Sequence, residues 1–284
     1  MPHANLISLV ITTYNRSDAL GAVLQGLAAQ EDTSFEIVIA DDGSTNAHQE
    51  QAESAIVQYG LSATHVWHPD VGFTASQVRN LGVAAAKGDY IVLMDGDCVP
   101  ERDFVRQHRL LSEPGYFVNG SRVMLSEAFT ARVLSGATDV AGHNSFYWLR
   151  RRLAGDASKW TALARLPDML ARKHAEFKWK GIRSCNMGVW RQDYEAVNGF
   201  DESFVGWGHE DADFVLRLHN AGISRKNGFF ATEVYHLWHK QSSRAEESRN
   251  AELVRQRMGT GQVQATLGYR ESLGAKDVVI RRWG

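Results

Sequence analysis

The chain has 284 residues, with 31 Lys and Arg against 33 Asp and Glu, a formal charge of -2 and 44% hydrophobic residues. This is the balance of an ordinary globular protein, and it gives no overall attraction to nucleic acid or to an anionic membrane. Two cysteines, Cys98 and Cys185, are too few for a disulfide framework and lack metal-finger spacing, which favours a reducing, cytoplasmic setting.

The N-terminal "MPHANLISLVITTYN" has no basic region ahead of a long apolar run. No apolar run approaches the ~20 residues that span a bilayer, so a soluble protein is expected. "LISLVIT" reads as a first strand, followed by Leu20, Val23, Leu24 and Leu27 at helical spacing. "FEIVIA" is a second strand, and a polar helix starts at about Asn46. "ATHVW" is a third strand, Val78, Leu81 and Ala85 mark a helix, and "YIVLM" is a fourth strand. This alternation predicts an α/β fold with a mostly parallel, doubly wound, Rossmann-like sheet.

Such sheets bind ligands at the carboxyl ends of their strands. The first strand ends in Thr12, Thr13, Tyr14 and Asn15, the second in Asp41, Asp42, Gly43 and Ser44, and the fourth in Asp95, Gly96 and Asp97. An isolated Asp-x-Asp is more often a polar turn. At the end of a buried strand, with Asp42 near, it suits one hard divalent ion, Mg²⁺ or Mn²⁺. Neither G-x-x-x-x-G-K-[ST] nor G-x-G-x-x-G occurs, which argues against a P-loop kinase and a dinucleotide enzyme. A metal-bound nucleotide diphosphate remains, the form in which nucleotide sugars are handled.

Downstream, 149–183 is rich in basic residues, among them Arg165, Arg172, Lys173, Lys180 and Arg183. Within it "RLPDMLARKHAEFKW" reads as a helix with Leu166, Met169, Leu170 and Phe177 on one side. This basic excess is read first as a solvated face over an acceptor cleft, and second as contact with anionic lipid or a diphosphate-linked lipid acceptor. "GWGHEDADF" then opens a helix with Glu210, Asp211 and Asp213 in its first turn, Phe214, Val215 and Leu218 on its apolar face, and a stop near Gly222. Acids there suit the helix dipole, which would keep Asp211 ionised. The flanking Gly206-Trp207-Gly208 leaves room for a sugar ring against the indole. "TEVYHLWHK" is a strand with two histidines at its exit, and the tail after Ser248 reads as helix and loop without chemistry.

"VITTYNR", "IVIADDGS", "RNLGVAAAKGDYIVLMDGD" and "NMGVWRQDYEAVNGFDESFVGWGHEDADFVLRL" together resemble family 2 glycosyltransferases of the GT-A fold. The downstream block is also similar to a galactosyltransferase-type segment. The resemblance covers roughly Leu6 to Asp97 and Cys185 to Lys240. It implies that Thr12 and Tyr14 line the nucleotide pocket, that Asp42 accepts from a uracil N–H, and that Arg79 meets the base or diphosphate. It places Asp95 against ribose and metal, Asp97 and His236 as metal ligands, and His239 facing the diphosphate. Asp211 becomes the general base, with Glu210 orienting the acceptor. Asp41 is expected to be structural.

The resulting expectation is a Mn²⁺- or Mg²⁺-dependent inverting transferase. It would move a hexose or N-acetylhexosamine from a nucleotide sugar, UDP-linked on the reading of Asp42, to a saccharide or glycolipid hydroxyl. Residues 1–124 would bind the donor, 125–248 would bind the acceptor as an extension of the same domain, and 249–284 would form a helical tail. A binding module without turnover and a retaining transferase are the alternatives. A glycosidase would not use Asp42 or a metal, and a nucleotidyltransferase would carry a Gly-rich, Arg-containing loop where this chain has "TTYNRSD".

Overall fold

The computed structural model describes residues 3–240, 244 and 246–284. The N-terminal half runs β1 (Ile7–Thr13), α1 (Ser17–Ala28), β2 (Phe35–Asp41), α2 (Asn46–Gln58), β3 (Ala63–Trp67), α3 (Ala75–Ala85), β4 (Tyr90–Asp95) and β5 (Cys98–Pro100). There follow α4 (Phe104–Leu111), β6 (Tyr116–Asn119), β7 (Ser121–Met124), α5 (Glu127–Leu134), α6 (Ser145–Leu153), β8 (Lys173–His174), β9 (Asn186–Trp190) and α7 (Arg191–Ala196). The chain closes with α8 (Glu210–Asn220), β10 (Ser224–Asn227), β11 (Glu233–His236), α9 (Glu247–Arg257), α10 (Tyr269–Ser272) and β12 (Val279–Trp283).

The large sheet has the order β12-β3-β2-β1-β4-β9-β6-β10-β8. The strands β3, β2, β1 and β4 are parallel, as their sequence pattern predicts. Side chains alternate across this sheet. Leu9, Ile11, Ile37, Ile39, Val92 and Met94 enter one apolar layer with α1, whereas Val10, Val38, Ala40, Ile91 and Leu93 enter the other with α3 and α8. Both faces are therefore buried, which explains why these strands read as continuous apolar runs.

A second, three-stranded sheet of order β5-β11-β7 sits past the end of β4. In it β11 runs antiparallel to β5 with His236 opposite Cys98, and Leu237 N donates to the Asp97 carbonyl at 2.9 Å. This pairing brings a residue far along the chain to the Asp-Gly-Asp turn.

Two expectations fail here. The segment 165–179 is not a helix: it holds a single 3₁₀ turn, Leu170–Arg172, and the short strand β8. Its apolar periodicity is not used, because Leu170 is 82% exposed and Leu166 and Met169 also face solvent. The fixed point is Arg172, which is buried and donates to the carbonyls of Leu166, Pro167, Asn227 and Phe229. The amphipathic basic helix that would have met a membrane is thus absent from 165–179. The tail also holds more than helix and loop, since β12 closes the edge of the large sheet against β3.

Candidate active site

The carboxyl ends of β1, β2 and β4 open onto a cleft of about 1090 Å³. Thr12, Tyr14, Asp42, Arg79, Asp95, Asp97, Trp207, Glu210, Asp211, His236 and His239 all line it, so one cavity gathers the residues expected to bind donor, acceptor or metal. Asp41 does not line it. Buried, it accepts from Ser44 N at 2.8 Å and pairs with His65 Nε2 at 2.9 Å, the structural role expected of it.

The Asp-Gly-Asp turn is pinned to the end of β1. Gly96 N donates to the Thr12 carbonyl at 2.7 Å, and a Cβ on Gly96 would lie 2.8 Å from that same oxygen. Only glycine permits this approach. Asp95 Oδ1 accepts from Thr12 Oγ1 at 3.1 Å and from Arg79 Nη2 at 3.2 Å. Asp97 points the other way. Its Oδ2 lies 3.2 Å from His239 Nε2 and its Oδ1 lies 3.7 Å from His236 Nε2.

Asp97, Cys98 and His236 present oxygen, sulfur and nitrogen atoms that lie within 4.8 Å of one another, a spacing that could hold a metal ion. Burial holds His236 below its usual pKa, with Asp97 opposing that shift, so its imidazole is kept neutral and able to coordinate. Its Nδ1 is buried without a hydrogen-bond partner in the structure. The nitrogen that faces the Asp97 carboxylate is the other one, Nε2, so the neutral imidazole can offer that atom to an ion.

Asp42 is already engaged. Thr74 donates to it from both Oγ1 and the backbone N, the latter at 3.1 Å, and His68 Nε2 is 3.0 Å away. A carboxylate offers about four acceptor positions, so this leaves room for one more donor. Tyr14 OH donates to Asp70 Oδ2 at 2.8 Å on the rim.

The side of the cleft that carries Glu210 and Asp211 begins at a tight loop. Gly206, Gly208 and His209 all have positive φ, 75°, 108° and 69°, and together they turn the chain into the start of α8. Trp207 is exposed to the cleft with the Arg244 guanidinium over its ring at 4.9 Å. Asp213 faces away from the cleft, bound to Arg217 at 2.8 Å and to Arg257 at 2.6 Å. Glu210 Oε1 accepts from Arg79 Nη1 at 3.2 Å. Arg79 is therefore a buried bridge between Asp95 and Glu210, stacked 5.3 Å above the Phe200 ring.

Burial, reinforced by the neighbouring Glu210 charge and opposed by Arg79, pushes the Asp211 carboxyl up to about 7. This corrects the expectation that the helix start keeps Asp211 fully ionised. A first-turn dipole is a small term beside the loss of hydration.

Several lining residues were not legible in the motifs: Arg122, Trp179, Lys180, Arg183, Trp238 and Arg244. Lys180 and Arg183 end the basic stretch, and that charge excess was their only signal. Most of the remaining basic side chains there are spent internally, as in Arg165 with Asp103 at 3.0 Å and Lys173 with Glu113 at 2.6 Å.

Residues 8–159 match the model of Glycosyl transferase family 2, and residues 166–240 match one described as N-terminal domain of galactosyltransferase. Validoxylamine A glucosyltransferase of Streptomyces hygroscopicus subsp. jinggangensis is 30% identical over 237 residues, covering 78% of this chain and 53% of that protein. Hyaluronan synthase of Pasteurella multocida is 28% identical over 229 residues, covering 76% of this chain and 23% of that protein. The chain thus spans about half the length of the first relative and about a quarter of the second. Among solved structures, a mannosyltransferase from Pyrobaculum calidifontis in complex with GDP-Man and Mn²⁺ superposes with TM-score 0.55 at 15% identity, covering 86% of this chain and 60% of that one. S. aureus TarS 1–349 in complex with UDP-GlcNAc gives 0.54 at 15% identity, covering 94% and 69%. At that identity the likeness concerns the GT-A fold.

Proposed function

The chain belongs to glycosyl transferase family 2, and from that premise we propose that it transfers a hexose or N-acetylhexosamine from a UDP-sugar to a saccharide or glycolipid hydroxyl, with inversion. The observation that carries this reading is a single cleft in which the Asp97–His236–His239 cluster and Asp211 meet, with Arg79 joining Asp95 to Glu210 between them.

Asp97 and His236 would hold a divalent ion, Mn²⁺ before Mg²⁺ because an imidazole is in the set, with His239 at the diphosphate. When bound, that ion offsets charge on the departing diphosphate. Thr12 and Tyr14 border the nucleotide, and Asp42 accepts from a base N–H, which favours uracil. Lys180, Arg183 and Arg122 supply further positive charge along the cleft. Trp207 offers its indole to the acceptor sugar.

Asp211 takes the proton of the acceptor hydroxyl as that oxygen attacks the anomeric carbon from the face opposite the leaving group. A carboxyl with its pKa near 7 is a stronger base than an ordinary aspartate, yet is still largely ionised slightly above neutrality. Glu210, fixed by Arg79, orients the acceptor. One displacement inverts the anomeric centre. Proton NMR of the first product formed from an α-linked UDP-sugar is expected to show a β-linkage, and a retained α-configuration would exclude direct displacement assisted by Asp211.

A further inference from the structure

The Asp97 cluster contains a donor that oxygen-preferring Mn²⁺ does not need. Cys98 lies directly across the β5–β11 pair from His236. Opposed residues of an antiparallel pair have Cβ atoms about 4.5–5.5 Å apart on the same face of the sheet. Cys98 Sγ lies 3.6 Å from Asp97 Oδ1, and His236 Nε2 lies 3.7 Å from that same oxygen.

These separations match the edges of a tetrahedron about one zinc ion. Metal–ligand bonds of about 2.3 Å to sulfur and 2.0–2.2 Å to oxygen and nitrogen place S and O about 3.6 Å apart, and N and O about 3.4 Å apart. Cys98 is fully buried, whereas Asp97 and His236 line the cleft, so a cation entering from the cleft meets the carboxylate and imidazole above a thiol. The second cysteine, Cys185, interacts with the Cys98 thiol, but its Sγ lies 3.8 Å from Arg122 Nη1 and it is not among the three clustered donors.

We propose that Asp97, Cys98 and His236 form a mixed oxygen, sulfur and nitrogen site that takes a thiophilic divalent cation, Zn²⁺ foremost, in competition with the Mn²⁺ of the transfer reaction. On binding, Cys98 releases its proton to solvent and coordinates as thiolate. The ion is drawn toward the floor of the cleft, and Asp97 is no longer available to an ion that carries diphosphate. Zn²⁺ is then an inhibitor set by the local metal balance. The competition rests on the assignment of Asp97 to Mn²⁺ above; the thiophilic site does not.

The test uses the metal-free full chain titrated with Co²⁺, a spectroscopic stand-in for Zn²⁺, alongside Mn²⁺ binding followed by electron paramagnetic resonance. The parent is expected to develop a thiolate-to-cobalt charge-transfer band that Zn²⁺ removes. Cys98→Ser and Cys98→Ala should lose the band, and their preference for Zn²⁺ over Mn²⁺ should fall by about tenfold or more. Cys185→Ser should keep both. Zn²⁺ should also release bound Mn²⁺ from the parent.

Absence of the band in the parent overturns the proposal whatever the variants do, and Mn²⁺ binding in that same sample leaves the transfer reading standing. A band that survives Cys98→Ala, or that disappears with Cys185→Ser, also overturns it. A band without any Mn²⁺ binding overturns the competition and the Mn²⁺ assignment together, while retaining the thiophilic site. Far-ultraviolet circular dichroism on each variant separates a lost ligand from a lost fold.

Discussion

Arg79 holds two carboxylates of separate origin, Asp95 from the fourth strand and Glu210 from the helix that carries Asp211. Its charge also lowers the Asp211 pKa, against burial and Glu210, which raise it. A base must be unprotonated to act, so kcat/KM is expected to rise with pH through an acid limb near 7. In Arg79→Met the opposing charge is gone, and the limb should move to higher pH. A pH profile of the variant with its limb unmoved or lowered would detach Arg79 from Asp211. Above the limb Asp211→Asn should reduce kcat by about 10²- to 10⁴-fold, a loss that shrinks as pH falls below it, and steady-state rates across pH would measure both.

What was readable at the level of single residues follows from chemistry that needs few partners. Asp97, Asp211 and His236 stand in motifs that resemble family 2 glycosyltransferases, and that resemblance singled them out. Arg79 was harder: a helical arginine is usually solvated, and nothing in "SQVRNLG" reveals that both of its ends meet carboxylates. Cys98 follows Asp97 in the chain, but its place opposite His236 depends on strand pairing across more than a hundred residues.

At the level of elements, α8 is held by charge as well as by its apolar face. Asp213 and Arg217 pair at 2.8 Å with both side chains essentially fully buried, and Arg217 donates to the carbonyls of Val197 and Gly199 at 2.6 and 2.7 Å. Removing one member leaves an uncompensated buried charge. Asp213→Ala is therefore expected to lower stability by ~3–5 kcal/mol in urea unfolding. By contrast, Glu252→Ala, which breaks an exposed pair with Arg255, should change it by less than about 1 kcal/mol. Equal effects would mean that the buried pair does not secure the helix.

The first four strands were legible as continuous apolar runs, and α1 and α3 by periodic apolar faces in local sequence. The segment 165–179 was not, because its spacing of Leu166, Met169 and Leu170 imitates a helix while Arg172, gathering four backbone carbonyls from two separate segments, dictates an irregular path. Tertiary hydrogen bonding of that kind leaves no periodic trace.

For the whole molecule, the last strand closes what would otherwise be an open edge of β3, and Trp283 lies buried with its ring stacked on His65 at 4.0 Å. Open edges invite pairing with other chains. Trp283→Ala should cost about 3–5 kcal/mol and promote aggregation on heating; an unchanged melting temperature would show that β12 adds nothing to the fold. The strand escapes sequence reading because "VVIRRW" is short and charged, and its only apolar anchors match the partner strand rather than any pattern of its own.

Residues from both halves of the chain meet in one cleft, where the proposed reaction transfers a sugar from a metal-bound nucleotide. The most direct test is release of nucleoside diphosphate from a panel of nucleotide sugars with and without Mn²⁺, in the parent and in Asp97→Ala. Slow, Mn²⁺-dependent release of UDP from one UDP-sugar, and none from Asp97→Ala, is the outcome expected of the proposed transfer. Absence of both UDP binding and release from any donor in the presence of Mn²⁺ would contradict it.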